Sequence, residues 1–180
     1  MNALVFLATG FEELEAVGTI DILRRGNIET TTVSVTGNKT VTGVHNIQVI
    51  ADELFENIDC STYDALVLPG GGPGSEMLNK HDGLRKAIAE HNEKGKLIAA
   101  ICASPRVFGS MGLLNGKKAT CYPGIEPELI GATILNESTV TDGNIITGRG
   151  PGLVFDFGLA IITYLHGNPD ADNVAEGLLI

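Results

Sequence analysis

Three short apolar runs set the frame of the chain. Ala3 to Ala8 (ALVFLA) is continuous, rich in strand formers, and ended by Thr9-Gly10, which predicts a strand buried on both faces. Tyr63 to Leu68 (YDALVL) and Leu97 to Ile101 (LIAAI) repeat that pattern. Between and after them the period changes to that of helices. Glu12 to Arg25 carries acids in its first turn and Arg24-Arg25 in its last, with Gly26 beyond as an αL stop. Leu84 to Glu93 is amphipathic and closed by Gly95, Pro105 to Met111 is stopped by Gly112, and Pro151 to Leu165 reads as the last long helix. Thr30 to Thr36 is β-branched, and Gly37-Asn38 turns the chain into Lys39 to Val41, ahead of a strand at Ile47 to Ile50. Short hairpins are expected there, and another at Asp142-Gly143 between Thr139 to Thr141 and Asn144 to Thr147.

Buried strands alternating with helices predict an α/β fold: one mostly parallel sheet with helices on both faces, in a single domain over 1–180. Sites in such sheets form beyond the C-terminal strand ends. Gly10 to Glu15, Gly70 to Gly74 and Cys102 to Pro105 occupy three of those ends.

Composition narrows the function. A net charge of −10, with no basic cluster longer than a pair, sets the surface field against nucleic acid and anionic lipid. No apolar stretch is long enough for a membrane span, and Glu12, Glu13 and Glu15 follow too soon for a signal peptide, so neither a nucleic-acid nor a membrane partner is expected. Three cysteines at 60, 102 and 121 make no disulfide framework and suit the cytoplasm.

Ala100-Ile101-Cys102-Ala103-Ser104-Pro105 has the small residues of a nucleophile elbow, with Cys in place of Ser. Ser104 and Pro105 suit a helix start, which would favour thiolate at Cys102. A small buried structural Cys fits the local pattern equally well. The bare Gly70-Gly71-Gly72 turn lacks the phosphate-loop and dinucleotide patterns. Its Gly71 amide, with that of Ala103, could instead face a developing oxyanion. Glu12 and Glu13 read as solvated dipole-stabilising acids. Glu15 differs, because Gly18, Thr19 and Ile22 follow on its helix face, and a carboxyl held there beside sulfur would keep its proton. His81, His91 and His166 read as solvated surface residues. No histidine has zinc-site spacing, so neither a metal nor another cofactor is expected.

Gly10-Phe11-Glu12-Glu13-Leu14-Glu15, Leu68-Pro69-Gly70-Gly71, Ala100 to Pro105 and Arg149-Gly150-Pro151-Gly152 together resemble the ThiJ/PfpI family, in its DJ-one-like branch of the amidotransferase-like superfamily. The resemblance spans the chain. It implies a flavodoxin-like three-layer sandwich, a homodimer, an oxidisable Cys102, a protonated Glu15, backbone donors at Gly71 and Ala103, and a structural Arg149. It also implies cofactor-free conversion of small aldehydes, the glyoxals, to hydroxy acids or a related deglycation. Thiol redox sensing and stress chaperoning are the alternatives. Tyr122 stands where many members of the branch have His, and Ala103 where the protease-like members have His, which turns the expectation away from a peptidase or amidase. Tyr122 remains a candidate for positioning substrate, as does His45, which would reach the crevice of a partner chain.

Overall fold

The computed structural model describes residues 1–180. In chain order its elements are β1 (Asn2–Leu7), α1 (Glu13–Arg25), β2 (Glu29–Ser34), β3 (Thr40–Thr42), β4 (Gln48–Ile50), β5 (Glu53–Leu54), β6 (Ala65–Leu68), α2 (Gly72–Lys80), α3 (Asp82–Glu93), β7 (Leu97–Ile101), α4 (Pro105–Ser110), β8 (Lys118–Ala119), β9 (Thr133–Ile134), β10 (Thr139–Asp142), β11 (Ile145–Gly148), α5 (Val154–His166) and α6 (Asn168–Leu178). Seven strands form one sheet in the order β10-β11-β7-β6-β1-β2-β5, parallel throughout except for the β10–β11 hairpin. The three apolar runs are its three middle strands β7, β6 and β1, buried along nearly their whole length as their unbroken hydrophobicity requires.

Alternation along each strand divides the core into two layers. Leu4, Phe6, Leu66, Leu68, Ile98 and Ala100 pack with Leu84 and Ile88 of α3 and Phe108 of α4. Ala3, Val5, Val67, Ala99 and Ile101 pack on the other face with Leu23 of α1, Phe157 and Ile161 of α5, and Val174 of α6. Each fully buried Leu, Ile or Phe contributes about 1.5–3 kcal/mol, so the sheet is clamped from both sides. The order reverses beside β1, since β2 lies on one flank and β6 on the other. That switch point lies at the carboxyl ends of β1 and β6, the place where open α/β sheets carry their sites.

Several local expectations change. Gly26 is not left-handed (φ −77°); Asn27 takes that role at φ 55°. Gly26 is small because a Cβ there would meet Ile162 at 2.7 Å. The Gly-Pro-Gly run after Gly71 does not stay a loop but opens α2, since proline's fixed φ suits a first helical turn. α5 is not the last helix: Gly167, at φ 98°, breaks the chain and α6 follows. β3 and β4 do form a hairpin, but β2 pairs only in parallel, with β1 and β5. No helix is long and apolar enough to cross a membrane.

Candidate active site

Cys102 follows β7 directly and adopts a left-handed backbone, φ 64°, which few residues other than glycine accept. Such a conformation costs about 1–3 kcal/mol and persists only where the surroundings impose it. Three hydrogen bonds do so. The Cys102 N–H donates to Gly148 O (2.9 Å), the Tyr122 N–H donates to Cys102 O (2.9 Å), and the Ser104 N–H reaches back to Ile101 O (3.0 Å). Ser104 does not cap α4, as the sequence suggested. Its hydroxyl is drawn to Pro69 O, which ties the elbow to the turn after β6.

The first turn of α1 supplies the partner. Glu12 is the N-cap, its carboxylate accepting the Glu15 N–H at 2.8 Å, and the Glu12 N–H donates to Gly70 O at 3.0 Å. These bonds aim Glu15 inward, where it is fully buried and its Oε2 accepts the Gly70 N–H at 2.8 Å. Gly70 must lack a side chain, because a Cβ would lie 2.4 Å from that oxygen and 2.6 Å from the Cys102 Cβ. Gly71 has φ 90° and a Cβ there would meet Gly10 O at 2.3 Å, so two strand ends touch through bare backbone. The other carboxyl oxygen of Glu15, Oε1, has no hydrogen-bonded partner. Because Oε2 already accepts, a proton on this carboxyl belongs on Oε1.

Burial dominates the electrostatics. It raises Glu15 from 4.5 to about 7, with the Glu12 charge adding to the rise and contacts to Cys102 and Gly70 opposing it. Burial, together with the Glu15 charge beside it, also pushes the Cys102 thiol up to about 12. Desolvation and the adjacent carboxylate thus work against the ready thiolate expected from the helix start. The N–H groups of Gly71 and Ala103 do face the sulfur and favour its anion. Thiolate thus requires that Glu15 hold its proton, which removes the repulsion and leaves the two amides as stabilisers.

The structure brings Cys102, Glu15, Gly71 and Ala103 together, and the other two candidates make contacts of their own beside them. The exposed ring of Tyr122 lies against Gly150 and lines a recess with Pro123, Arg149, Gly150 and Pro151 to Leu153, while its N–H donates to Cys102 O. His45 bonds to Glu13: its N–H reaches Oε1 at 2.6 Å and its Nδ1 lies 2.8 Å from Oε2. Glu13 is consequently buried, against the expectation of a solvated acid, and Glu12 is largely buried too. Their ligand atoms and that of His45 lie within 4.8 Å of one another, an arrangement the capping and hairpin hydrogen bonds already explain. His91 is also buried, its Nε2 at 3.2 Å from Tyr63 O. Its helical spacing from Leu84, Ala87 and Ile88 was the signal that places it on the inner face of α3.

Residues 1–164 match the model of the DJ-1/PfpI family. Two curated Arabidopsis thaliana relatives, DJ-1 homologues B and A, are each 41% identical over 99% of this chain. The chain spans less than half of their length, 41% and 46% respectively. A Pyrococcus abyssi protein named a deglycase is 34% identical over 84% of this chain and 92% of its own. Among solved structures, an oxidized DJ-1 from Toxoplasma gondii superposes with a TM-score of 0.95 at 36% identity, covering 99% of this chain and 97% of that one.

Proposed function

As this chain belongs to the DJ-1/PfpI family, we propose that it converts small α-oxoaldehydes to hydroxy acids in a cofactor-independent glyoxalase- or deglycase-type reaction at Cys102. The observation that carries this reading is the buried Glu15 carboxyl at the elbow, with one oxygen fixed by Gly70, the other unpartnered, and a pKa near 7. A group with that pKa gives and takes a proton near neutrality. The name of the Pyrococcus relative supports the same chemistry.

With methylglyoxal, the Cys102 sulfur bonds to the aldehyde carbon, and the carbonyl electron pair becomes an alkoxide that takes up a proton. The Gly71 and Ala103 amides stabilise the charge as it moves from sulfur to oxygen. Glu15, now a carboxylate, removes the hydrogen from that carbon to give an enediol and returns it to the neighbouring carbon, leaving a thioester. Water cleaves the thioester to lactate and regenerates the thiol. Methylglyoxal and water thus balance lactate and a proton, with no external oxidant. Incubation with methylglyoxal should yield lactate, and turnover in Cys102→Ser equal to wild type would refute the mechanism.

A second reading, thiol redox sensing, draws on the oxidized Toxoplasma structure and on the free Oε1, which could donate a proton to an oxidised sulfur. Mild peroxide should then add two oxygens to Cys102, which the Gly71 and Ala103 amides face, and spare Cys60 and Cys121. Uniform or absent oxidation would dismiss it. We take the working unit to be a homodimer, supported by the exposed apolar side chains of Leu14, Val17, Val44 and Ile47 around the Glu13–His45 contact. A monomer mass by light scattering would refute that assembly.

A further inference from the structure

Four of the five arginines are partnered in the fold. Arg24 pairs with Asp52 and Arg25 with Asp21, Arg85 bonds to Asn79 and Ser110, and Arg106 bridges Glu76 and Glu128. Arg149 is the exception. Its main-chain N–H donates to Ser138 O, but its guanidinium makes neither an ion pair nor a hydrogen bond, although the residue is only partly exposed. A guanidinium that has lost part of its water and gained no acceptor is an uncompensated cost. In a chain of net charge −10, where acids could readily have been placed beside it, the lack of a partner is notable.

The surroundings say what would complete it. Arg149 lines a recess of about 260 Å³ with Tyr122, Pro123, Gly150, Pro151, Gly152 and Leu153. Both walls are tied to the elbow: Tyr122 donates its N–H to Cys102 O, and Gly148, next to Arg149, accepts the Cys102 N–H. The guanidinium also exerts its field on Cys121, as do the carboxylates of Glu126 and Glu128, which lie outside the recess lining, so it lies on the side of the Cys121-Tyr122 segment. No carboxylate belongs to the recess lining; its other members are a tyrosine, prolines, glycines and a leucine. Those residues give room and an apolar wall, and Arg149 is the single charge.

We propose that Arg149 is the anion anchor of the site, selecting α-oxoaldehydes that carry a carboxylate over neutral ones. The forked donors of the guanidinium match a carboxylate's two oxygens, and the partly desolvated setting strengthens that contact. The anchor rests on the reading of Cys102 as the nucleophile and adds a substrate class to it. It gives Arg149 a direct contact with substrate in place of the structural role that the family resemblance implies.

Two measurements test it on the full chain. The first compares alkylation of Cys102 by iodoacetate and by iodoacetamide, reagents of nearly equal size that differ in charge, and requires no turnover. Arg149→Gln should lower the iodoacetate-to-iodoacetamide rate ratio about tenfold, and Arg149→Lys should restore part of it. The second compares kcat/KM for 4,5-dioxopentanoate, an α-oxoaldehyde with a carboxylate arm, and for methylglyoxal. Their ratio should fall about as far in Arg149→Gln. If neither aldehyde is consumed while the alkylation preference holds and vanishes in Arg149→Gln, the anion site stands and the glyoxalase reading fails. If both aldehydes are consumed but Arg149→Gln alters neither ratio, the anchor is overturned. It is overturned equally if Arg149→Gln splits the oligomer with both ratios intact, because a partner chain would then be what the arginine holds.

Discussion

Glu13 and Glu15 stand two residues apart in the first turn of α1, and their carboxyls are pushed in opposite directions from the ordinary carboxylate range. Glu13 meets three donors, the His45 N–H at 2.6 Å, the His45 ring at 2.8 Å and the Ile47 N–H at 3.4 Å. Burial works against its charge, but these bonds outweigh it and hold the carboxyl below its ordinary range. Glu15 meets one main-chain donor, the Gly70 N–H, and the Cys102 thiol, and burial with the Glu12 charge outweighs both, raising it to about 7. Helix position and side-chain type are nearly the same. What differs is how deeply each carboxyl is buried and how many N–H groups the neighbouring segment supplies, and together these decide which acid is a structural anion and which can exchange a proton near neutral pH.

The largest effect should come from removing the exchangeable proton. Glu15→Gln should lower methylglyoxal turnover at least about 100-fold, as the loss of a general acid–base does, while Glu13→Gln stays within about threefold. Stability should move the other way. The folded pKa of Glu15 lies above its reference value of 4.5, so its stabilising contribution is full below 4.5 and is lost as pH rises to about 7. A shift of that size corresponds to roughly 3 kcal/mol, an upper bound on what Glu15→Gln should gain in urea unfolding at pH 8. Equal stability of the two proteins from pH 4 to pH 8 would show that Glu15 is not held protonated.

Gly70 tests whether close backbone contact sets the Glu15 environment. In Gly70→Ala the new Cβ meets Glu15 Oε2 and the Cys102 Cβ, neither of which can retreat from a filled core, so unfolding should be easier by about 2 kcal/mol. Gly72→Ala places its Cβ in open space at the start of α2 and should stay within about 0.5 kcal/mol of wild type. Equal costs at the two positions would break the distinction.

The contrast between the two acids was half visible in the sequence. Glu15 announces itself because Thr19 and Ile22 continue its face and both are buried. Glu13 does not, because its donors arrive from the β3–β4 hairpin, more than thirty residues away, and no local pattern encodes that docking. The middle strands were legible for the opposite reason: a run buried on both faces is uniformly apolar. α6 was hidden because it buries little beyond Ala171 and Val174, too thin a stripe to outweigh its polar residues and Pro169. The elbow was legible from its small residues, but the charge on its sulfur was not, since desolvation is a property of the whole packed layer.

The weaker effects concern the anionic acid. Glu13→Gln keeps the shape but gives up charge-assisted bonds, at a cost of about 1–2 kcal/mol. Because the folded pKa of Glu13 is lowered, that cost should be full above 4.5 and vanish as pH falls through the folded value. His45→Ala should be milder still. Its side chain is 70% exposed, and only the ring contact is lost, since the His45 and Ile47 N–H groups remain to hold the carboxylate. With the imidazole in solvent, such a contact contributes about 0.2–1 kcal/mol. In Glu13→Gln, His45→Ala should add almost nothing, because the ring then faces a neutral amide. A His45→Ala cost as large as that of Glu13→Gln would mean that the imidazole, not the hairpin backbone, fixes the Glu13 charge, and the two acids would then differ by one side chain and not by their main-chain donors.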